Sequence, residues 1–201
     1  MQHFEPLLPG NFYHIYNHAV GERDLFREPD NYEYFLDLYD KHISPIADTY
    51  AWVLMPNHFH LLVRIKEELE VEVPTPDRVL NPVRGNVSQQ FSKLFNSYAQ
   101  AFNKRFGLRG ALFERPFKRK PIDSDEYLKQ IILYIHNNPV HHGFCSHPVE
   151  YPWSSYLTCV SIKPTRLERE AVIGWFDNEA NFKYMHDNKI EIEKIEKWLE
   201  L

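Results

Sequence analysis

The sequence predicts an α+β fold in which helices pack on one side of a central antiparallel β-sheet. Two observations lead to this fold class. Predicted strands and helices interleave in the order β-α-β-β-α-β-α. The second and third strands are separated only by Pro56-Asn57, and so short a link joins antiparallel neighbours.

The first half of the chain supplies three strands and one helix. Residues 11–20 alternate aromatic and polar side chains, which is typical of a strand. Residues 29–43 carry apolar side chains at helical spacing. Residues 46–55 and 58–65 are apolar runs on either side of the turn, so we expect a hairpin there.

The second half alternates helices with irregular segments. Gly107 is expected to end one helix, and Pro139 another, because proline disfavours helical backbone in the residue before it. The predicted elements are a loop or insertion at 66–84, a helix at 86–106, a loop and strand at 109–122, a helix at 124–138, a loop at 148–156, and mostly helix beyond.

The composition excludes several classes of protein. Hydrophobic residues make up 43% of the chain, which argues against disorder. No run of 18 apolar residues exists, so no membrane partner is expected. Residues 1–10 lack the features of a signal peptide. Two cysteines, Cys145 and Cys159, fit neither a disulfide framework nor a CxxC metal site, and a reduced, cytoplasmic setting is the expectation.

The charge is unevenly distributed. The net charge is −5, which argues mildly against non-specific binding to nucleic acid. Between residues 104 and 120, however, there are seven basic residues and one acidic residue, Glu114. A solvated face and a phosphate-binding surface both remain open as interpretations. The basic residues are Lys104, Arg105, Arg109, Arg115, Lys118, Arg119 and Lys120.

His58 and His60 are candidate metal ligands. They lie two apart on a predicted strand, so both imidazoles point to one face while Phe59 points to the other. Two imidazoles on one face of a rigid strand can share a divalent cation. Two solvent-facing histidines are the alternative.

Tyr134 and Asn138 form a second candidate pair. They are four apart on a predicted helix and therefore share a face. The side-chain oxygen of Asn138, at the expected helix end, is available to a metal. The alternative makes Tyr134 a core aromatic and Asn138 a helix cap.

The segments around both pairs resemble the HUH single-tyrosine transposases, most closely the REP-associated branch, which is related to insertion-sequence 200-type transposases. The resemblance covers about residues 10 to 160, so we expect one catalytic domain at 1–160 and a C-terminal helical extension at 161–201. It is carried by WVLMPNHFH at 52–60 and YIHNNPV at 134–140, with YAQAFNKRFG at 98–107, GALFERPFK at 110–118 and PWSSY at 152–156.

The resemblance implies a fold and a site. The fold would be a ferredoxin-like or RRM-like sandwich. By position in the motifs, His58, His60 and Asn138 would bind Mg²⁺ or Mn²⁺, and Tyr134 would be the nucleophile. A phenol that attacks a phosphodiester leaves a 5′-phosphotyrosine and a free 3′-OH, and this covalent step keeps the bond energy for resealing.

The resemblance also implies the partner, a single-stranded DNA that contains a hairpin. The basic stretch would grip its phosphates while Phe113 and Phe117 stack on unpaired bases. Such relatives work as monomers and as homodimers, so Tyr134 can serve its own metal site or that of a partner subunit. Trp153 and Tyr156 are expected to pack the domain.

Other residues compete for these roles. Tyr98 is the rival nucleophile, but its spacing from Phe95 and Phe102 indicates a core position. His14 and His18 share a face of the first strand; they are either part of the lining of the site or ordinary sheet-surface histidines, and the second interpretation is preferred. His136 is expected to face away from Tyr134.

Two further functions remain open. One is a catalytically inactive DNA-hairpin-binding protein derived from a transposase, which the intact set of His58, His60, Tyr134 and Asn138 argues against. The other is a structural zinc module, for which the chain has too few cysteines.

Overall fold

The structure, a computed structural model, describes residues 6–67, 84–188 and 192–199. Four strands in these residues form an antiparallel sheet in the order β2-β3-β1-β4. With a helix after β1 and another after β3, this is the ferredoxin-like arrangement. The strands are β1 (Phe12–His18), β2 (Ala47–Met55), β3 (His58–Ile65) and β4 (Lys118–Ile122).

Seven α-helices lie in the described residues, and the mostly helical C-terminal part is confirmed. A short 3-10 helix, Pro148–Glu150, interrupts the loop expected at 148–156. The predicted insertion at 66–84 falls largely outside the described residues. The helices are α1 (Pro29–His42), α2 (Arg84–Phe106), α3 (Asp125–His141), α4 (Tyr156–Cys159), α5 (Arg169–Trp175), α6 (Glu179–Asp187) and α7 (Ile192–Leu199).

Helices cover both faces of the sheet, so the expectation that they lie on one side is wrong. Phe59, Leu61 and Val63 of β3 belong to a core that α1 and α2 complete. Leu62 belongs to a second core with α3 and the C-terminal helices. The alternation of side chains along β3 produces both cores, because odd and even positions face opposite ways.

Helix α3 continues through Pro139, where the sequence predicted its end. Ser124 caps the start of the helix, accepting a hydrogen bond from the backbone N–H of Tyr127. Beyond the proline, the N–H of His142 donates to the carbonyl of Asn138, and that of Phe144 to Pro139. Asn138 and Pro139 are buried, and the helix continues through them because packing against the sheet outweighs the local preference.

The two edges of the sheet differ. Segments from the C-terminal part cover the edge at β2, where the N–H of Leu54 donates to the carbonyl of Trp153 and that of Glu168 to Thr49. The other edge, β4, has the sequence KRKPI. No other described strand pairs with its outer side.

The C-terminal extension packs against the rest of the chain. Phe176 and Phe182 are fully buried in the core that contains α3. The boundary at residue 160 stays a prediction, but the two predicted parts share this core. No helix in the described part of the chain is long and apolar enough to cross a bilayer.

Candidate active site

His58 and His60 lie on the face of the sheet that α3 covers. Both belong to β3, and their two-residue spacing places the rings on one side, as predicted. The ring centroids are 5.1 Å apart and the ring planes are nearly perpendicular. Both side chains are buried.

Helix α3 brings Tyr134 and Asn138 to the same place. The Oδ1 atom of Asn138 is 2.9 Å from Nε2 of His58. The ring of Tyr134 meets the ring of His60 edge-on, with 5.3 Å between centroids. The four residues that the sequence singled out therefore converge at one buried point between β3 and α3.

His58 lies between two amide oxygens. Its Nδ1 is 2.8 Å from Oδ1 of Asn57, and its Nε2 faces Oδ1 of Asn138. Burial lowers the pKa of His58 to about 4, so at pH 7 the ring is neutral and has one N–H for two oxygens. One of the two nitrogen–oxygen contacts of His58 therefore has no hydrogen between its atoms. The Nδ2 atom of Asn138 is buried with no hydrogen-bond partner among the described residues.

His14 and His18 belong to the site, and their interpretation as ordinary sheet-surface histidines is wrong. Pairing of β1 with β3 sets His18 opposite His58. The Nε2 atom of His14 is 2.9 Å from Nδ1 of His60, and His14 is fully buried. The ring of His18 stacks on that of His58 at 4.9 Å.

Two more residues of this cluster were not predicted from the sequence. Tyr16 lies between His14 and His18 on the same face of β1, and its ring stacks on His60 at 5.8 Å. His142 follows α3, with its ring 5.2 Å from that of His58. His142 is four residues after Asn138, and this helical spacing is the signal in the sequence that could have placed both on one face.

Tyr98, the rival nucleophile, lies on the other face of the sheet. It is on α2, in the core with Phe35 and Phe102, and its hydroxyl donates to the carbonyl of Leu25. Tyr134 is also buried, and burial raises its pKa above the usual value, so its phenol is protonated at neutral pH.

A metal at this point needs an amide ligand. In the residues that the structure describes, no group of three or more His, Cys, Asp and Glu side chains is placed to hold a metal ion. His58 and His60 supply two nitrogens, and Asn138 supplies the oxygen that is near them.

The basic stretch does not form one surface. On β4, Lys118 and Lys120 pair with Tyr16 and His14 and so face the candidate site, whereas Arg119 faces the other way. Arg105 lies at the end of α2 and forms ion pairs with Glu28 and Asp30. Lys104 and Arg109 are exposed, and Arg115 is exposed in the loop before β4.

The aromatic residues of this region are structural. Phe113 and Phe117 are buried in the core under α2, so the expectation that they stack on bases is wrong. Trp153 stacks on Tyr32 at 4.4 Å and Tyr156 is buried, which confirms that both pack the domain.

His136 faces away from Tyr134, as expected. It lies in a buried chain of hydrogen bonds that ends on α6. The hydroxyl of Ser155 is 2.8 Å from Nε2 of His136, whose Nδ1 is 2.9 Å from Nε2 of His186. Nδ1 of His186 donates to the carbonyl of Phe182 at 2.7 Å.

The fold resembles that of a known DNA-binding protein. A solved structure of a REP-associated tyrosine transposase bound to a REP hairpin superposes with a TM-score of 0.58. The match covers 82% of this chain and 88% of that chain, at 15% sequence identity. No protein-family model and no curated protein matches the sequence. At this identity the likeness shows the α+β fold and its four-stranded antiparallel sheet.

Proposed function

We propose that this protein cleaves and rejoins single-stranded DNA through a covalent bond to Tyr134, with Mg²⁺ or Mn²⁺ held by His58, His60 and Asn138. One observation carries the proposal. The side chains of His58 and His60 on β3 and of Tyr134 and Asn138 on α3, which are distant in sequence, lie together in one buried region.

The contact between His58 and Asn138 fits a shared cation. Two ligand atoms at neighbouring corners of an octahedron with bonds of about 2.1 Å are about 3 Å apart. The observed separation of Nε2 and Oδ1 is 2.9 Å. A cation there would accept the lone pairs of both Nε2 and Oδ1 and so would resolve the unsatisfied contact between them.

The chemical step is a phosphoryl transfer to tyrosine. The Tyr134 oxygen forms a bond to phosphorus, the bond from phosphorus to the 3′ oxygen breaks, the phenol loses its proton, and the departing 3′ oxygen gains one. The reverse reaction with another 3′-OH reseals a strand. A bound divalent cation would neutralise charge on the phosphate and favour ionisation of the phenol. The ring of Tyr134 lies beside that of His60, next to the proposed ligands, and the DNA backbone has to gain access to this buried point before attack.

The substrate we propose is a single strand that contains a hairpin. The neighbour of known structure is bound to a REP hairpin, and the motifs of this sequence resemble those of the same family. A buried tyrosine beside a cation needs an exposed and bendable backbone, which a fully paired duplex does not offer. Cleavage of duplex and single strand at equal rates would contradict this assignment.

Covalent adduct formation tests the nucleophile. Hairpin-bearing single strands from the flanks of the gene are incubated with the protein and Mn²⁺, and the adduct is resolved by denaturing electrophoresis. Tyr134→Phe removes only the hydroxyl, so we expect the adduct to vanish while affinity for the hairpin falls little. Adduct from Tyr134→Phe at the wild-type yield would refute the assignment. A wild-type protein that binds the hairpin without any adduct would instead be an inactive hairpin-binding protein.

Two tyrosines serve as controls. Tyr16 is at the site and Tyr98 is in the opposite core, so Tyr16→Phe and Tyr98→Phe separate a nucleophile from a neighbour. Both variants should still form the adduct. Loss of the adduct in Tyr16→Phe, with the adduct kept in Tyr134→Phe, would transfer the role to Tyr16.

A further inference from the structure

A cleft lies on the sheet face opposite to the candidate active site. It has a volume of about 860 Å³ and lies between α2 and residues 110–119. Asn17 of β1 lies in it, and Asn17 points away from the flanking Tyr16 and His18 because side chains alternate along the strand.

One wall of the cleft is an uncharged polar stripe along α2. Its five residues recur every three or four positions and therefore share one face of the helix. They carry neutral hydroxyl and amide groups, and each of these groups can both donate and accept hydrogen bonds. The stripe consists of Ser88, Ser92, Asn96, Gln100 and Asn103.

The other wall carries two arginines. Nη1 of Arg119 donates to Oγ of Ser88 at 2.9 Å, and its guanidinium lies over the Phe117 ring at 4.1 Å. Arg115 reaches Asn96 at 3.4 Å. No described carboxylate is within ion-pair distance of either arginine. Glu114 also lines the cleft, but its carboxylate is 3.9 Å from Lys118.

Polar atoms in the cleft lack partners. In the described part of the chain, four buried side-chain atoms have no hydrogen-bond partner. Two, on His14 and Asn138, belong to the candidate active site. The other two, Oδ1 of Asn103 and Nε of Arg119, belong to residues that line the cleft. Both atoms are shielded from solvent, so the groups that a ligand in the cleft would meet are the exposed side chains of the stripe and Arg115.

We propose that the cleft binds an unpaired stretch of the DNA strand on which the candidate active site acts, an inference that rests on the proposed function. The arginines fit phosphates, and side-chain amides fit the edges of exposed bases. A paired duplex keeps those edges engaged, whereas an unpaired strand presents them to the stripe on α2.

The edge strand β4 connects the cleft to the candidate active site. Arg119 points to the cleft, while Lys118 and Lys120 point to the face that carries His14 and Tyr16. A strand that leaves the cleft and passes over β4 thus meets cationic side chains on both sides. One part of the strand is held in the cleft while another lies at Tyr134.

Binding measurements on a non-cleaving background test this cleft. Tyr134→Phe is the parent, and fluorescence anisotropy reports its affinity for a labelled single strand and for a duplex of the same sequence. Adding Asn96→Ala with Gln100→Ala should weaken single-strand binding by roughly fivefold or more without changing its salt dependence, because neutral groups release no counterions. Adding Arg115→Ala should weaken binding and reduce the salt slope by about 1.

Lys104→Ala is the matched control. Lys104 is an exposed cation on the same helix that lies outside the cleft, so the cleft proposal, unlike the prediction from the basic stretch, gives it no part in holding the strand. We expect it to leave single-strand affinity nearly unchanged. Any of three results would overturn the proposed role of the cleft. The cleft variants could bind the single strand as tightly as the parent, Lys104→Ala could lose as much affinity as they do, or the cleft variants could lose as much affinity for the duplex as for the single strand. A parent that binds no single strand would overturn the proposed function as well. Asn96, Gln100 and Arg115 are exposed, so these variants should fold, and thermal melting checks this.

Discussion

At the scale of single residues, the direction of the hydrogen bond between His14 and His60 decides which nitrogen of His60 keeps a lone pair for a ligand. The two rings are joined by a 2.9 Å contact between Nε2 of His14 and Nδ1 of His60. If Nδ1 of His60 carries the proton and donates it to His14, then Nε2 of His60 keeps its lone pair for a cation. His14 would then act on the metal through His60, as a positioning residue.

The first prediction concerns this orientation. His14→Phe removes the acceptor and keeps a ring of similar size, so we expect affinity for Mn²⁺ to fall by about tenfold or more. His14→Gln restores an acceptor oxygen and should recover much of the affinity. Isothermal titration calorimetry in the absence of DNA measures both, and ¹⁵N spectra of His60 report its tautomer. Unchanged Mn²⁺ affinity in His14→Phe would show that His14 only fills space.

The sequence was informative about residues whose partners lie nearby in the chain. The two-residue spacing of His58 and His60 and the four-residue spacing of Tyr134 and Asn138 each define a face. His14 could not be assigned in this way, because its role depends on the pairing of β1 with β3, over a separation of 46 residues. Local periodicity contains no information on that pairing.

At the scale of elements, two sides of helix α3 make different polar contacts. Tyr134 and Asn138 face the sheet, whereas His136 faces Ser155 and His186 in the buried hydrogen-bonded chain. The carbonyl of Phe182 requires the proton of His186 on Nδ1, so its Nε2 accepts a hydrogen bond from His136. The chain therefore needs the ring of His186 to be neutral.

The second prediction is a pH dependence of stability that belongs to His186. Burial lowers its pKa to about 4 in the folded protein, against 6.5 in the unfolded chain. Between these values the unfolded state binds the proton and the folded state does not, so unfolding becomes easier as pH falls. The stabilisation is complete above pH 6.5, and about 3 kcal/mol of it is lost by pH 4.

His186→Phe separates this contribution from that of the other buried histidines. The variant should be less stable than wild type at pH 7, because Nδ1 of His136 loses its acceptor. Its free energy of unfolding, from urea titrations at a series of pH values, should fall less between pH 6.5 and 4 than that of wild type. Parallel pH profiles for the two proteins would contradict the assignment.

The predicted elements agree with the structure where one periodicity dominates, as in β3 and α1. They differ where packing decides. Pro139 alone predicts a helix end, but the turn that contains it is buried against the sheet and stays helical. The basic stretch was treated as one unit, although its last part is a strand whose alternation sends neighbouring cations to opposite faces.

At the scale of the whole molecule, one chain contains every residue of the candidate active site. The rings of Tyr134 and His60 meet within the chain. We therefore propose that the tyrosine acts at the metal site of its own subunit, whether the protein is a monomer or a homodimer.

The third prediction follows from this arrangement. Tyr134→Phe lacks the proposed nucleophile and His58→Ala lacks a proposed metal ligand, so each should form no adduct by itself. Mixed together, they should still form none, because each chain lacks one part of its own site. The adduct assay measures this, and light scattering on the mixture reports the oligomeric state. Recovery of adduct in the mixture would mean that a partner subunit supplies the tyrosine.

The two edges of the sheet also bear on how the protein behaves at high concentration. An unpaired edge strand invites pairing with the edge of another molecule, and charged residues or proline there oppose it. The C-terminal segments cover β2, while β4 relies on Lys118, Arg119, Lys120 and Pro121. The cations of β4 would thus have a second role, in solubility. A variant that neutralises them all is expected to aggregate, and its loss of DNA binding would then report self-association rather than a missing contact.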